Sequence, residues 1–425
     1  MVILLFVALF VLFLINVPIA IALGLASVIV FVASGQTDLI TLPQRMFAAL
    51  DSFPLMAAPF FILAGKLMEH GGISQRIVDF AKSLVGQFRG GLAHVAIVSC
   101  LIFAALSGSA SATTAAVGAI LISSMVKNGY DRNFAAAVNA AGGTTGIIIP
   151  PSVPLVLYGV SAGTSVGALF IAGILPGIMI GLSLMLVAYI ISRIKGYGAA
   201  SEPTNIRKIG TSFKDAFLAL LMPIIILGGI YGGFFTPTEA SAIAVVYGFL
   251  VGIFVYKQLT LGVMRKILVE SAVTSSVIMF IISTAALFGM ILTREQVPQS
   301  FAGLIMDSAL SPIMIILLIN VMLLLIGTFM ETIASVIILT PILLPIVTSI
   351  GMDPVHFGII MIVNLSIGLI TPPVGVSLFV AAQVGETKFE GVVRAVTPFL
   401  LMMIINVLIV TFFPFLSMGL LQLRQ

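Results

Sequence analysis

What most limits how this chain folds is the length and continuity of its apolar runs, such as residues 2–32 and 217–233. A helix needs roughly 20 apolar residues to cross a bilayer. Closed barrels also span membranes, but their strands alternate apolar and polar side chains. These runs do not alternate, so the fold class is an all-α membrane protein, a bundle of polytopic helices. Composition agrees: of 425 residues, 60% are hydrophobic and 8% charged, against about 25% charged in an ordinary soluble domain. Cys100 is the single cysteine, which excludes an internal disulfide and argues against a metal cluster. The net charge of +4 is spread over loop clusters and reads as membrane topology, not as a nucleic-acid footprint. The N-terminal run lacks a basic flank and exceeds a signal-peptide core, so it reads as the first membrane helix.

Charge orients the spans. The most polar stretch, residues 192–215, carries Arg193, Lys195, Arg207, Lys208 and Lys214 against Glu202 and Asp215. Excess Lys and Arg place it on the cytoplasmic side. Stepping outward from that point puts Lys127, Arg132, Lys257, Arg265 and Lys266 inside as well. Residues 92–126 are then bounded by cytoplasmic charge at both ends, Lys82 and Arg89 before and Lys127 and Arg132 after. Their centre is the small polar knot Ser107-Gly-Ser-Ala-Ser-Ala-Thr113 between two short apolar arms. Two full crossings do not fit, so a re-entrant hairpin is expected. A second hairpin is expected over residues 312–350, around Gly327-Thr-Phe-Met-Glu-Thr332, flanked by Asp307 and Asp353 and opening to the other face.

After each hairpin comes an apolar segment interrupted by a proline pair, Gly146-Ile-Ile-Ile-Pro150-Pro151-Ser152 and Gly368-Leu-Ile-Thr-Pro372-Pro373. Pro176 and Pro398 follow at the same distance, and Gly129-Tyr-Asp131 and Gly351-Met-Asp353 precede at the same distance. One constant offset relates all these pairs, which marks an internal repeat. An odd number of crossings, about five, separates the hairpins, so the repeats are expected to be inverted. A proline pair removes two backbone donors and stops a helix. Irregular backbone persists at membrane depth only where it lines a cavity. Unwound carbonyls and helix C-termini suit Na⁺, and helix N-termini suit carboxylates. Tip against break, twice, gives two candidate cation sites.

Four motifs together carry a resemblance: Ser107-Gly-Ser-Ala-Ser-Ala-Thr113, Ile149-Pro-Pro-Ser152, Phe235-Thr-Pro-Thr-Glu-Ala-Ser241 and Ile370-Thr-Pro-Pro-Val-Gly375. Over nearly its full length the chain resembles the large membrane subunit of tripartite ATP-independent periplasmic (TRAP) transporters, closest to the sialic-acid branch. The resemblance implies an elevator-type ion-transporter fold, with Na⁺ as the coupling ion and no other cofactor. It also implies a separate small four-helix membrane subunit, a periplasmic substrate-binding protein, an organic-acid substrate and a place in the bacterial inner membrane. On that frame residues 1–52 form N-terminal scaffold or arm helices. Residues 53–191 form the first repeat, 192–266 the cytoplasmic loop and scaffold helices, and 267–425 the second repeat.

Individual residues follow. Ser107, Gly108, Ser109 and Thr113, with Thr145 and Gly146, are candidates for one Na⁺ site; small residues also serve plain helix packing in membranes. Gly327, Thr328, Met330, Gly368 and Thr371 form the symmetry-related set. Arg294 is a candidate for the substrate's acid group, since its planar fork matches a carboxylate; pairing with the adjacent Glu295 is the alternative. Ser111 and Ser152 are candidates for substrate hydroxyls. Glu331 offers charge balance, gating or a structural hydrogen bond. Glu239 reads as part of a helix cap, with Thr238 as the capping residue. Asp51 and Lys66 read as interface anchors. A cation/proton antiporter is the alternative class, but the breaks carry no carboxylate apart from nearby Glu331. A membrane enzyme is disfavoured, because clustered His, Cys or paired acids, a phosphate-binding loop and a nucleophile elbow are all missing from the sequence.

Overall fold

The computed structural model describes residues 1–35, 40–198, 206–297, 299–300, 303 and 310–423. Glu202 and Asp307, both used in the charge reading, lie outside the described residues. The helices are α1 (Val2–Leu14), α2 (Ile19–Ser34), α3 (Thr41–Leu50), α4 (Ala57–His70), α5 (Ile73–Val85), α6 (Gly91–Ser107) and α7 (Ala110–Lys127). They continue as α8 (Arg132–Gly143), α9 (Val153–Ala162), α10 (Val166–Lys195), α11 (Ile206–Tyr231), α12 (Pro237–Leu250) and α13 (Leu261–Arg294). The C-terminal set is α14 (Pro312–Phe329), α15 (Thr332–Ser349), α16 (Pro354–Gly368), α17 (Val376–Val384), α18 (Phe389–Phe412) and α19 (Phe415–Gln422). Among the described residues, 8 helices are long and apolar enough to cross a membrane.

The N-terminal run is not one helix. It breaks between Leu14 and Ile19, and α1 and α2 lie against each other. Asn16 takes a positive φ of 62°, and Pro18, with no N–H to donate, ends the break. Another bend, of 67°, separates α3 from the segment Pro54–His70. Helix α5 was not legible as a span because it is amphipathic. It buries Ile73, Ile77, Val78 and Ala81 against α6 and α11, at the spacing of one helical face.

Both hairpins are present. Arms α6 and α7 meet at Gly108, whose φ of +60° closes the turn, and α14 and α15 meet at Met330 and Glu331. Both interrupted helices are present too. In the first, α8 tightens into a 3-10 turn over Thr144–Ile147 and α9 starts again after Ser152. In the second, α16 stops at Gly368 and α17 starts after Gly375. Both Pro-Pro bonds, Pro150–Pro151 and Pro372–Pro373, are cis. The packing crosses over. The second arm of each hairpin lies against the short helix that follows the other break, α7 on α17 and α15 on α9. Tyr158 on α9 donates to the carbonyl of Pro354 at 2.6 Å, tying the two halves directly.

The turn before α12 corrects one expectation. The capping residue is Thr236, not Thr238: Thr236 Oγ1 accepts from the Glu239 N–H at 3.2 Å while the Glu239 carboxylate accepts from the Thr236 N–H at 2.8 Å. Pro237 is suited to the first helical position because it has no N–H to leave unpaired. That places the cap two residues earlier. Thr238 instead donates to the Phe53 carbonyl at 3.0 Å, fastening this turn to the α3–α4 corner.

Candidate functional site

The first tip folds its hydroxyls onto itself. Ser107 Oγ and Thr113 Oγ1 are 2.8 Å apart, and Thr113 donates to the Ser109 carbonyl at 2.7 Å. Ser109 caps α7, and its Oγ is 3.3 Å from that of Ser111. This tip sits directly on the first break. A side chain built at Gly108 would come within 2.9 Å of the Pro151 carbonyl. One at Gly146 would strike the Ser109 carbonyl and come within 2.7 Å of Thr113 Oγ1. Ser107, Gly108, Ser109, Thr113 and Gly146 are thus brought together. Thr145 is fully buried next to them, its hydroxyl donating to the Gly142 carbonyl at 2.7 Å.

The second tip contacts its break through backbone. A side chain on Gly327 would lie 3.5 Å from Gly368 Cα, and one on Gly368 would strike the Gly327 carbonyl. Thr371 donates to the Ile367 carbonyl and Thr328 to the Leu325 carbonyl, each at 2.7 Å. Met330 closes α14 with extended backbone. Glu331 caps α15, its carboxylate accepting from the N–H groups of Ile333 at 2.8 Å and Ala334 at 3.2 Å.

Between the two tips is a cavity of about 450 Å³. Its floor is Ser107–Ala112 from the first tip and Glu331–Ile333 from the second. The two breaks contribute Ile147, Val153, Leu369 and Val376, and its outer wall is Gly65, Lys66 and Glu69 of α4 with Thr274 and Ile278 of α13. Four helices therefore begin at this cavity: α7, α9, α15 and α17. Each helix start carries the positive end of a dipole, and at α7, α9 and α15 the capping side chain of Ser109, Ser152 or Glu331 takes up only part of the first-turn N–H groups. Helix ends are present too, at Ser107 of α6 and Leu369 just after α16, and these present carbonyls.

Not every expected residue converges here. Ser111 lines the cavity, but Ser152 is fully buried. Its hydroxyl donates to the Ile147 carbonyl at 2.6 Å and accepts from the Leu155 N–H, so it holds the break in shape. Arg294 ends α13 and is not among the lining residues. It lies about 30 Å along the helix from Thr274 at 1.5 Å per residue. Nor does Glu295 stand only beside Arg294: its carboxylate is 3.7 Å from the N-terminal amine of Met1. The cationic residue that does reach the cavity, among the described residues, is Lys66, which sequence reading treated as an anchor. Its signal was present, a lone cation inside the apolar stretch Ala57–His70. What was missing was the fold that turns it inward.

A multi-helix membrane protein whose tips and broken helices enclose an interior cavity has the build of a transport protein. The chain belongs to the family of the DctM component of tripartite ATP-independent periplasmic transporters, whose model matches residues 6–416. It is a multi-pass protein of the bacterial inner membrane. It is 47% identical to the isethionate TRAP transporter permease protein DctMQ of Oleidesulfovibrio alaskensis, covering 96% of this chain and 65% of that one. It is 45% identical to the C4-dicarboxylate TRAP transporter large permease protein DctM of Pseudomonas aeruginosa, covering 94% and 93%. It is 41% identical to the sialic acid TRAP transporter large permease protein SiaM of Vibrio cholerae, with the same coverage. Among solved structures, the Alcanivorax borkumensis YdaH transporter shares the fold, with a TM-score of 0.62 over 89% of this chain and 88% of that one at 16% identity.

Proposed function

We propose that this chain is the translocating subunit of a Na⁺-coupled importer of small organic acids. It would work with a small membrane subunit and a periplasmic binding protein that delivers the acid. The observation that carries the reading is the meeting of four helix N-termini with two hairpin tips around one cavity. Each N-terminus favours an anion by about 0.3–1 kcal/mol, and the carbonyl-rich tip-and-break junctions suit Na⁺. The related permeases are named for a sulfonate, for C4-dicarboxylates and for sialic acid. An acidic group is what these substrates share, and sialic acid has no advantage in identity over the other two.

In this reading Ser107, Gly108, Ser109, Thr113, Thr145 and Gly146 surround one Na⁺, and Gly327, Thr328, Met330, Gly368 and Thr371 surround a second. Each ion orders its tip against its break, and the ordered tips complete the acid site. Two Na⁺ moving down a tenfold gradient supply about 2.8 kcal/mol. One net positive charge crossing 100 mV adds about 2.3 kcal/mol. Together these support a gradient of several thousandfold. The test is uptake of radiolabelled isethionate, succinate and N-acetylneuraminate into proteoliposomes holding the full complex. The expected result is uptake of one of these acids that needs both an inward Na⁺ gradient and the binding protein. Uptake that persists with Na⁺ replaced by choline at constant pH would refute the coupling.

A further inference from the structure

The ion cluster on the outer wall of the cavity is not explained by tips and breaks. Lys66 is the one cationic side chain among the described residues that line it. Its Nζ stands 3.2 Å from Glu270 Oε2 on α13 and 3.5 Å from Glu69 Oε2 on its own helix. Glu270 also reaches Lys266, at 3.8 Å. An ammonium has three donors and no acceptor. Two carboxylates flank it as ion-pair partners, and the side chain is 28% exposed, so a donor is within reach of a molecule in the cavity.

The charge balance sharpens the point. The lining carries Lys66 against Glu69 and Glu331, so without Lys66 the charged side chains among the described lining residues would all be acidic. Glu331 is committed to capping α15. Glu270 divides its two oxygens between Lys66 and Lys266, so letting go of Lys66 leaves it with a partner. Solvent-reachable ion pairs are weak and exchange readily. The arrangement is a cation lightly held by carboxylates at the edge of a cavity where helix N-termini gather.

We propose that Lys66 is the side chain that recognises the acid group of the substrate, and that Glu270 competes with that group for it. The inference rests on the organic-acid reading above. A purely structural ion pair, kept only to neutralise charge at membrane depth, predicts something different. In that case losing either partner does the same harm, and removing both together repairs it.

The experiment uses the full complex and begins with wild-type uptake, which selects one acid among isethionate, succinate and N-acetylneuraminate. Equilibrium binding of that radiolabelled acid to the purified membrane complex is then measured in saturating NaCl for Lys66→Gln, Glu270→Gln, the double variant and Lys66→Arg. Loss of one charge-assisted contact is expected to weaken binding about tenfold or more in Lys66→Gln and equally in the double variant. Glu270→Gln is expected to tighten it, and Lys66→Arg to retain most of it. Wild-type affinity in the double variant, or weakening by Glu270→Gln like that by Lys66→Gln, would overturn the assignment and leave the transport reading intact. Failure of the wild-type complex to take up any of the three acids would overturn both.

Discussion

Gly368 shows how closely a single residue ties a tip to a break. A methyl group there would enter the space of the Gly327 carbonyl, a backbone atom that cannot swing aside as a flexible side chain would. Overpacking of this kind costs about 1–3 kcal/mol. Gly368→Ala is therefore expected to lower the thermal unfolding midpoint of the detergent-solubilised complex and to cut uptake at least about tenfold. Wild-type uptake by this variant would mean that the second tip does not rest on its break during transport. At this scale the sequence was informative wherever a residue type is forced by backbone. Gly108 at φ +60°, picked out within the small polar knot, and Gly146 beneath Ser109, picked out through the repeat and the family resemblance, are such positions. It was less informative about where side chains point. Ser152 and Arg294 are plausible ligands by residue type, yet one is consumed inside the break and the other stands far along α13.

At the scale of elements, the short helices after the breaks are held by partners distant in the chain. A buried chain of polar groups runs through the second half. Asn364 of α16 donates to Asn320 of α14 at 2.6 Å, and Asn320 donates to Thr411 of α18 at 3.1 Å. All three are nearly inaccessible. Bonds between membrane helices contribute roughly 0.6 kcal/mol on average and up to about 2. Asn320→Ala removes two of them and leaves Asn364 with one fewer partner. Its expected effect is a loss of about 1–2 kcal/mol in a denaturant titration of the reconstituted protein, whereas Asn128→Ala, on an exposed helix end, should change little. An equal effect of the two substitutions would deny the buried chain any special role. Hairpins and breaks were legible from sequence because polar knots and proline pairs interrupt apolar runs. The split between α1 and α2 was not, since one Pro and one Asn in an otherwise apolar run leave its helical pattern nearly unchanged.

Across the whole molecule, the elevator reading, which we propose for this chain, has the tips move past a wall that stays put. Gly65 of α4 touches the first tip where such a boundary would lie: a side chain there would be 3.2 Å from Ser107 Cα. A disulfide between Gly65→Cys and Ser107→Cys, introduced together with Cys100→Ala, should therefore lock the hairpin to α4. Uptake is expected to fall to background on oxidation and to rise again on reduction, to the level set by the two substitutions themselves. Full uptake by the oxidised, crosslinked protein would exclude movement between these elements. This boundary also frames the cavity in which Lys66 is found, so recognition of the acid and motion past it would share one surface.

What backbone and solvent dictate could be read along the chain. Long apolar runs demand lipid, charge in the loops orients the spans, and a proline pair in a membrane helix demands a break that something must face. Those are local consequences of hydrogen bonding and dielectric, and they can be read one segment at a time. Which helix starts meet at one cavity, and which cation reaches it, follows from packing in three dimensions. α4 and α13 are far apart in sequence, yet Lys66 and Glu270 stand 3.2 Å apart because their helices cross beside the tips. No periodicity records such a crossing, since it is set by how every helix packs at once.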